Sequence, residues 1–281
     1  MLNVMQSVLI LVFIIILQLL TYFIFLKPII DTWGATKEEA GMALIGDELA
    51  ATIVSTRAIS INAPIDQVWQ WIIQLGADRG GFFSYTLIEK ALGYEARIAE
   101  PVPEFQDMAV GRVIPASVDA SKSLIQYHFS VIAVQPGESF VIQNWGAFVL
   151  KKIDAQQTRF IVRTHGQNPP NLRSKIGDFF SMSAHYIMER RMMLGFKARA
   201  EAGAGVHLSE LADNLWILGL ILSGLGIVVM AFLGGDVWEV VVTAVYSTLW
   251  LLALLIIAPK PVYSLSLSVL IVVTIVSLFG L

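Results

Sequence analysis

The chain has 281 residues, of which 56% are hydrophobic and 15% charged, with a mean hydropathy of +0.69. About a quarter of an ordinary soluble protein is charged, and disordered chains are poor in apolar residues, so neither class fits. A formal net charge of −3 leaves no overall basic footprint for nucleic acid, and the lack of cysteine removes disulfides, thiolate metal sites, iron–sulfur clusters and a cysteine nucleophile.

The apolar residues concentrate in four stretches. Val4–Leu26, Leu215–Leu233 and Val262–Leu281 hold no charged residue, and Val237–Ala258 holds only Glu239. At about 1.5 Å rise per residue each reaches roughly 29–35 Å, which matches the hydrocarbon core of a bilayer. The predicted organisation is an N-terminal transmembrane anchor (residues 1–29), a soluble domain (30–213) and a three-helix transmembrane region (214–281). The first span argues for an uncleaved anchor: Met1–Asn3 has no charged side chain, the apolar run is long, and Thr21–Leu26 offers no A-x-A pattern. With four crossings Lys27 and Lys260 fall on one side, and Asp236 and Glu239 on the other, so the positive-inside rule puts the soluble domain in the cytoplasm. No Lys, Arg, Asp or His lies deep in a span, which disfavours a channel or transporter. Gln6 and Gln18 are candidates for interhelical hydrogen bonds. Gly219 with Ser223, and Ser264 with Ser268, have the small-xxx-small spacing that lets helices approach closely, a spacing ordinary packing also produces.

Within the soluble domain, Thr36 and Glu39 have the spacing of a helix capping box. Arg57–Ala63 alternates as a strand, Pro64 pre-sets a helix start, and Ile65, Val68, Trp69, Ile72 and Leu75 share one helical face. Gly80-Gly81 beside Arg79 matches no phosphate loop and reads as a turn, with Ser84 as N-cap of a second short helix. Strands follow at Val110–Pro115, Ser123–Val134, Ser139–Asn144, Trp145–Ile153 and Thr158–His165, with turns at Gln135-Pro-Gly-Glu138 and Asp154–Gln157. Asn168-Pro-Pro-Asn171 breaks the chain before a long helix, Leu172–Ala202. Strands segregated from helices predict an α+β domain with an antiparallel sheet of about six or seven strands on that helix.

This order, with Trp33-Gly-Ala-Thr36, Ser55-Thr-Arg-Ala58, Ala63-Pro64, Val68-Trp69, Gln74-Leu-Gly76, Arg79-Gly-Gly-Phe-Phe-Ser-Tyr85, Glu89, Gln106-Asp107, Gly111, Thr158-Arg-Phe-Ile-Val-Arg163 and Tyr186-Ile-Met-Glu-Arg-Arg-Met-Met-Leu-Gly195, resembles the START/SRPBCC superfamily of helix-grip, polyketide cyclase-like proteins, and within it a prokaryotic membrane-anchored subgroup. The resemblance implies a curved sheet gripping the long helix, a cavity for a lipid-like or other hydrophobic small molecule, and a multi-pass protein of a prokaryotic plasma membrane. It implies no single chemistry, since fold does not fix function. Binding or transfer of such a ligand is the first expectation. An enzyme acting on it (cyclase, dehydratase or hydrolase-like) and a non-catalytic regulatory or assembly module remain alternatives. No cofactor, metal or nucleic-acid partner is expected, and protein partners are unspecified.

The candidate ligand-binding residues are Trp145, Phe179, Tyr186, Arg190 and Met193. Phe179, Tyr186 and Met193 belong to an apolar stripe on the long helix with Ile176, Phe180, Ser183, Ile187 and Leu194. Arg190 projects into that stripe and needs an anionic partner, with Glu104, Asp107, Glu89 or a ligand anion as candidates. Met182, Met188, Met192 and Met193 suit a promiscuous lipophilic pocket, and also an ordinary core or a helix lying against the membrane. An enzyme would need an acid–base pair such as Asp107 or Glu104 with His128 or Tyr127. His185 and Glu189 share a helix face, a spacing that serves two metal ligands, a base with its orienter, or a structural pair. On the strand Thr158–His165, Arg159, Ile161, Arg163 and His165 fall on one face.

Overall fold

The segment order is helix, strand, two short helices, a run of strands, then four long helices, and the computed structural model describes residues 4–91, 102, 108–117, 128–202 and 210–279. Glu104, Asp107 and Tyr127, and the strand residues expected at Ser123–Tyr127, lie outside the described residues. The chain forms two compact units: residues 1–30 with 209–281, and residues 31–208.

The first unit is helical. Helix α1 (Val4–Thr21) runs through a π-helical turn (Tyr22–Leu26) into α2 (Lys27–Asp31). After the second unit come α7 (Leu211–Leu233), α8 (Val237–Leu255) and α9 (Pro261–Phe279). Four helical segments, Val8–Asp31, Leu211–Leu233, Val237–Leu255 and Pro261–Leu278, are long and apolar enough to cross a membrane. Small residues set the packing of α7 on α9: a Cβ on Gly219 would lie 2.5 Å from Ser264 Oγ, and Ser223 Oγ donates to the Ser264 carbonyl at 3.3 Å. Gln18 of α1 donates to Ser247 Oγ at 2.7 Å on α8 and is bonded to Thr248 as well, so this amide has partners on the neighbouring helix. Asp236 and Glu239 form a reciprocal capping box at the start of α8.

The second unit begins with α3 (Lys37–Gly41), whose capping box joins Thr36 and Glu39 as their spacing predicts, and a 3₁₀ turn (Asp47–Leu49). Strand β1 is Thr52–Ile61, longer at its start than the alternation from Arg57 suggests. Helix α4 (Ile65–Ile72) ends before Leu75, because Gly76 adopts φ 129° and the Gln74 side chain donates to the Gln70 carbonyl. Then come α5 (Thr86–Ala91), β2 (Val113–Pro115), β3 (His128–Gln135), β4 (Ser139–Ile142), β5 (Gly146–Lys152), β6 (Thr158–Gly166) and α6 (Leu172–Ala202). The six strands form one antiparallel sheet in the order β1-β6-β5-β4-β3-β2. Strands β2 to β6 are a meander, and β1 closes on the last of them with Ala58 opposite Ile161.

Each face of the sheet has its own core, as the period of two requires. On the inner face Ile61, Phe140, Phe148, Phe160 and Val162 pack with Val68, Trp71 and Ile72 of α4 and Met192, Met193, Phe196 and Ala200 of α6. Phe140 and Phe148 stack at 4.9 Å, one of several aromatic pairs each worth about 0.5–1.5 kcal/mol beyond area burial. On the outer face Ala58, Val141, Ala147, Val149 and Ile161 are covered by Leu44, with Ala35, Met42 and Ile45 beside it. The charged residues that β6 presents on this face tie the covering segment down. Arg159 forms a two-pronged pair with Glu39, both contacts 2.7 Å. Arg163, 1% exposed, reaches Asp47, Thr56 and the carbonyls of Glu39, Ala40 and Met42. His165 Nε2 is 3.2 Å from the same Asp47 carboxylate. The first turns of α6 stand outside this core: Leu172, Ile176 and Phe180 are exposed, although Ile176 and Phe180 continue the predicted apolar stripe.

Candidate functional site

A cavity of about 300 Å³ lies between the flank of α6 and the sheet. Four pieces of chain build its wall: Phe82 and Ser84 before α5, Phe129 on β3, Asn144 and Trp145 between β4 and β5, and Ser181–Met192 of α6. The lining is mostly carbon and sulfur, with Phe82, Phe129, Trp145, Met182, Met188 and Met192 its largest members. Its volume is at the lower end of the range of small-molecule sites, whose walls are likewise mostly apolar.

Local backbone chemistry sets each part of the wall. The expected strands Ser139–Asn144 and Trp145–Ile153 abut with no turn between them, but Gln143–Trp145 is a turn, and Asn144 takes φ 62°, a left-handed position that Asn tolerates. Gly146 follows at φ 140°, and a Cβ there would lie 1.9 Å from the Arg163 carbonyl, so only glycine lets β5 begin against β6. This turn delivers Trp145 inward, where it stacks on Phe82 at 5.8 Å and meets Phe129, Phe148 and the His185 ring edge-on at 5.6, 5.4 and 5.3 Å. Between the lining residues Phe82 and Ser84, Phe83 also has positive φ, 57°, uncommon for a bulky residue and held by packing on Phe196 at 4.7 Å. Gly195 of α6 makes room for that loop: a Cβ there would lie 2.3 Å from the Phe83 carbonyl. The buried Glu89 carboxyl accepts the Ser84 amide at 2.5 Å and the Phe82 amide at 3.4 Å. Burial pushes the Glu89 carboxyl above the usual range, opposed by those amides and by the charges of Arg199 and Arg191.

The base of the cavity is a buried polar cluster centred on Glu189. Its Oε1 is 2.6 Å from Arg57 Nη1 on β1, and both side chains are withdrawn from water. Its Oε2 accepts from Trp145 Nε1 and Thr164 Oγ1, each at 3.2 Å, and lies 2.8 Å from His185 Nε2 one helical turn away. Burial acts to raise the Glu189 pKa, but the Arg57 charge and His185 outweigh it and hold the carboxyl at about 2, well below its usual 4.5. Arg57 also lies over the Tyr186 ring, 4.8 Å from its centroid. Burial raises the Tyr186 phenol, against the charges of Arg190 and Arg57 and a hydrogen bond with Arg190.

Of the five residues singled out from the sequence, Trp145 lines the cavity. Phe179 is half-buried and packs edge-on against Phe180 at 5.0 Å. Tyr186 and Met193 are fully buried, and Arg190 is buried with its guanidinium 5.5 Å from the centre of the Trp33 ring. These four are not among the lining residues. The physical reason is helical phase. The stripe through Tyr186 and Met193 is consumed in packing inside the unit, and the cavity takes the neighbouring flank through Ser181, His185, Met188 and Met192. One residue along an α-helix turns the side chain by about 100°, so a stripe can be right and the cavity still lie beside it. Glu89, a candidate partner for Arg190, is engaged with the Phe82–Ser84 loop. His185 and Glu189 carried the usable signal, as an i,i+4 acid–base pair among methionines. The other acid–base candidate among the described residues, His128, is exposed at the start of β3 and is not a lining residue. Among the described residues no three His, Asp or Glu side chains converge as they would around a metal ion. Compared with known protein families, with curated proteins and with solved structures, the chain matches none.

Proposed function

We propose that the chain is a membrane-anchored helix-grip protein of START/SRPBCC type, whose cavity binds, and in one version of the role transfers, a lipid-like or other hydrophobic small molecule. The observation that carries this reading is the apolar cavity of about 300 Å³ bounded by α6 and the sheet. A closed core has no use for such a volume, because packing at native density leaves few voids larger than a water molecule. Three methionines in its wall, Met182, Met188 and Met192, adapt to varied apolar shapes. The four long apolar helices supply the second support. Inserted in a bilayer, they tether the domain where apolar molecules partition.

In this reading the second unit is cytoplasmic, the side to which Lys27 and Lys260 point under the positive-inside rule. Purification of the full chain from its membrane, followed by solvent extraction and mass spectrometry, tests the binding claim. A specific apolar species retained at close to one per chain supports it, and recovery of bulk lipid in bulk proportions alone rejects it.

A further inference from the structure

His185 brings to the cavity wall a ring nitrogen whose hydrogen-bonding capacity is not used among the described residues. The Glu189 carboxylate is ringed by donors: Arg57 Nη1 on Oε1, and Trp145 Nε1 and Thr164 Oγ1 on Oε2. An indole N–H only donates, and a guanidinium keeps its proton in proteins. The carboxylate is thus an acceptor throughout, and the His185 Nε2 at 2.8 Å must carry the hydrogen that joins them. In a neutral imidazole the other nitrogen, Nδ1, is then a bare acceptor. Among the described residues Nδ1 has no hydrogen-bond partner, and His185, 24% exposed, forms part of the cavity wall. The hydroxyls nearby are engaged elsewhere: Ser84 donates to the Met188 carbonyl at 2.8 Å, and Ser181 to the Asp178 carbonyl at 3.2 Å.

Resting on the binding role assigned to the cavity above, we infer that its occupant is an apolar alcohol, which donates its hydroxyl hydrogen to His185 Nδ1 and lays its hydrocarbon body against Phe82, Phe129, Trp145 and the methionines. A hydrocarbon laid over His185 leaves the acceptor unmatched, and an ether or ester there sets one lone pair against another. A carboxylate meets no fixed cation among the described lining residues, because Arg57 is already paired with Glu189. The Trp145, Thr164 and Arg57 contacts fix the carboxylate, and the carboxylate fixes the imidazole. The acceptor is therefore pre-oriented before any ligand arrives.

The test uses the full chain in lipid nanodiscs and two photoreactive probes of equal length, a ten-carbon primary alcohol with a mid-chain diazirine and its methyl ether. After irradiation, labelling of cavity peptides is divided by labelling of peptides from α7 to α9, which reports how much of each probe the bilayer holds. The alcohol is expected to label the cavity about tenfold more than the ether, the effect of about 1.4 kcal/mol. His185→Phe is expected to bring that ratio close to one, and a ratio still near ten in this variant overturns the role of His185. Equal labelling of the wild-type cavity by both probes overturns the alcohol assignment and leaves hydrophobic binding intact. Absence of cavity labelling by either probe overturns both. The wild-type pair decides the alcohol assignment even if His185→Phe does not fold.

Discussion

Arg57 on β1 and Glu189 on α6 are 132 positions apart in sequence and 2.6 Å apart in space, each shielded from water. Removing one member of a buried pair leaves an uncompensated charge, which costs about 3–5 kcal/mol. Arg57→Met and Glu189→Gln are each expected to lose stability in that range by chemical denaturation. In Arg57→Met/Glu189→Gln the loss should fall short of the sum of the single losses by roughly 2 kcal/mol or more, since neither charge is then stranded. Strict additivity would mean that the pair does not act as one.

The same glutamate sets an acid limit. Its carboxyl titrates near 4.5 when unfolded and at about 2 in the fold, so its contribution is complete above 4.5 and is lost as pH falls towards 2. Glu89 has the opposite sign. Burial raises its folded pKa, so the stability it contributes is complete below its unfolded value and is lost as pH rises through the folded one. Thermal melts of Glu89→Gln against wild type should therefore favour the variant more at pH 8 than at pH 4, and an offset independent of pH would contradict this.

Much of the fold is legible in the sequence because the forces that set it are local. The Asn168-Pro-Pro-Asn171 break, with the Asn171 side chain accepting from the Ser174 amide at 2.9 Å, gives α6 its start, and uninterrupted apolar runs mark the four long helices. What stays hidden is decided by distant partners. The turn at Asn144 exists because Gly146 must approach the Arg163 carbonyl. The partners of the charged face of β6 stay hidden because Glu39 and Asp47 lie more than a hundred positions earlier. The cavity flank of α6 is displaced from its apolar stripe because that stripe is already filled by the core.

The covering segment gives a second contrast. Arg163 is buried and holds five partners between Glu39 and Thr56, whereas the Arg159–Glu39 pair is partly solvated. Arg163→Met should cost about 3 kcal/mol or more and raise hydrogen exchange across residues 37–49. Arg159→Met should cost about 1 kcal/mol or less. Equal effects would contradict the separation drawn between the two.

In the helical unit, Gly219→Leu should force α7 from α9, because even a Cβ would lie 2.5 Å from Ser264 Oγ. The expected readout is a lower midpoint of thermal unfolding in detergent. Gly224→Ala serves as the control, since its Cβ would meet Trp250 no closer than 3.5 Å. Similar losses in the two variants would mean that close approach at Gly219 does not hold the pair.

Sidedness is open to direct measurement because the chain has no cysteine of its own. Single cysteines at Asp154, in the exposed β5–β6 connection, and at Asp236, before α8, should react from opposite faces of sealed cells, with Asp154 protected from an impermeant reagent. External labelling of both would reject the proposed topology.

The central claim is that the space beside Met188 holds an apolar ligand, and the most direct measurement compares bound lipid in wild type and in Met188→Trp, purified side by side from the same membrane. The indole fills part of the cavity of about 300 Å³, and both members of the Arg57–Glu189 pair are kept. The account predicts one apolar species near unit stoichiometry in the wild-type extract, strongly depleted in a variant that melts normally, with bulk lipid unchanged. Identical extracts from two equally folded proteins would contradict it.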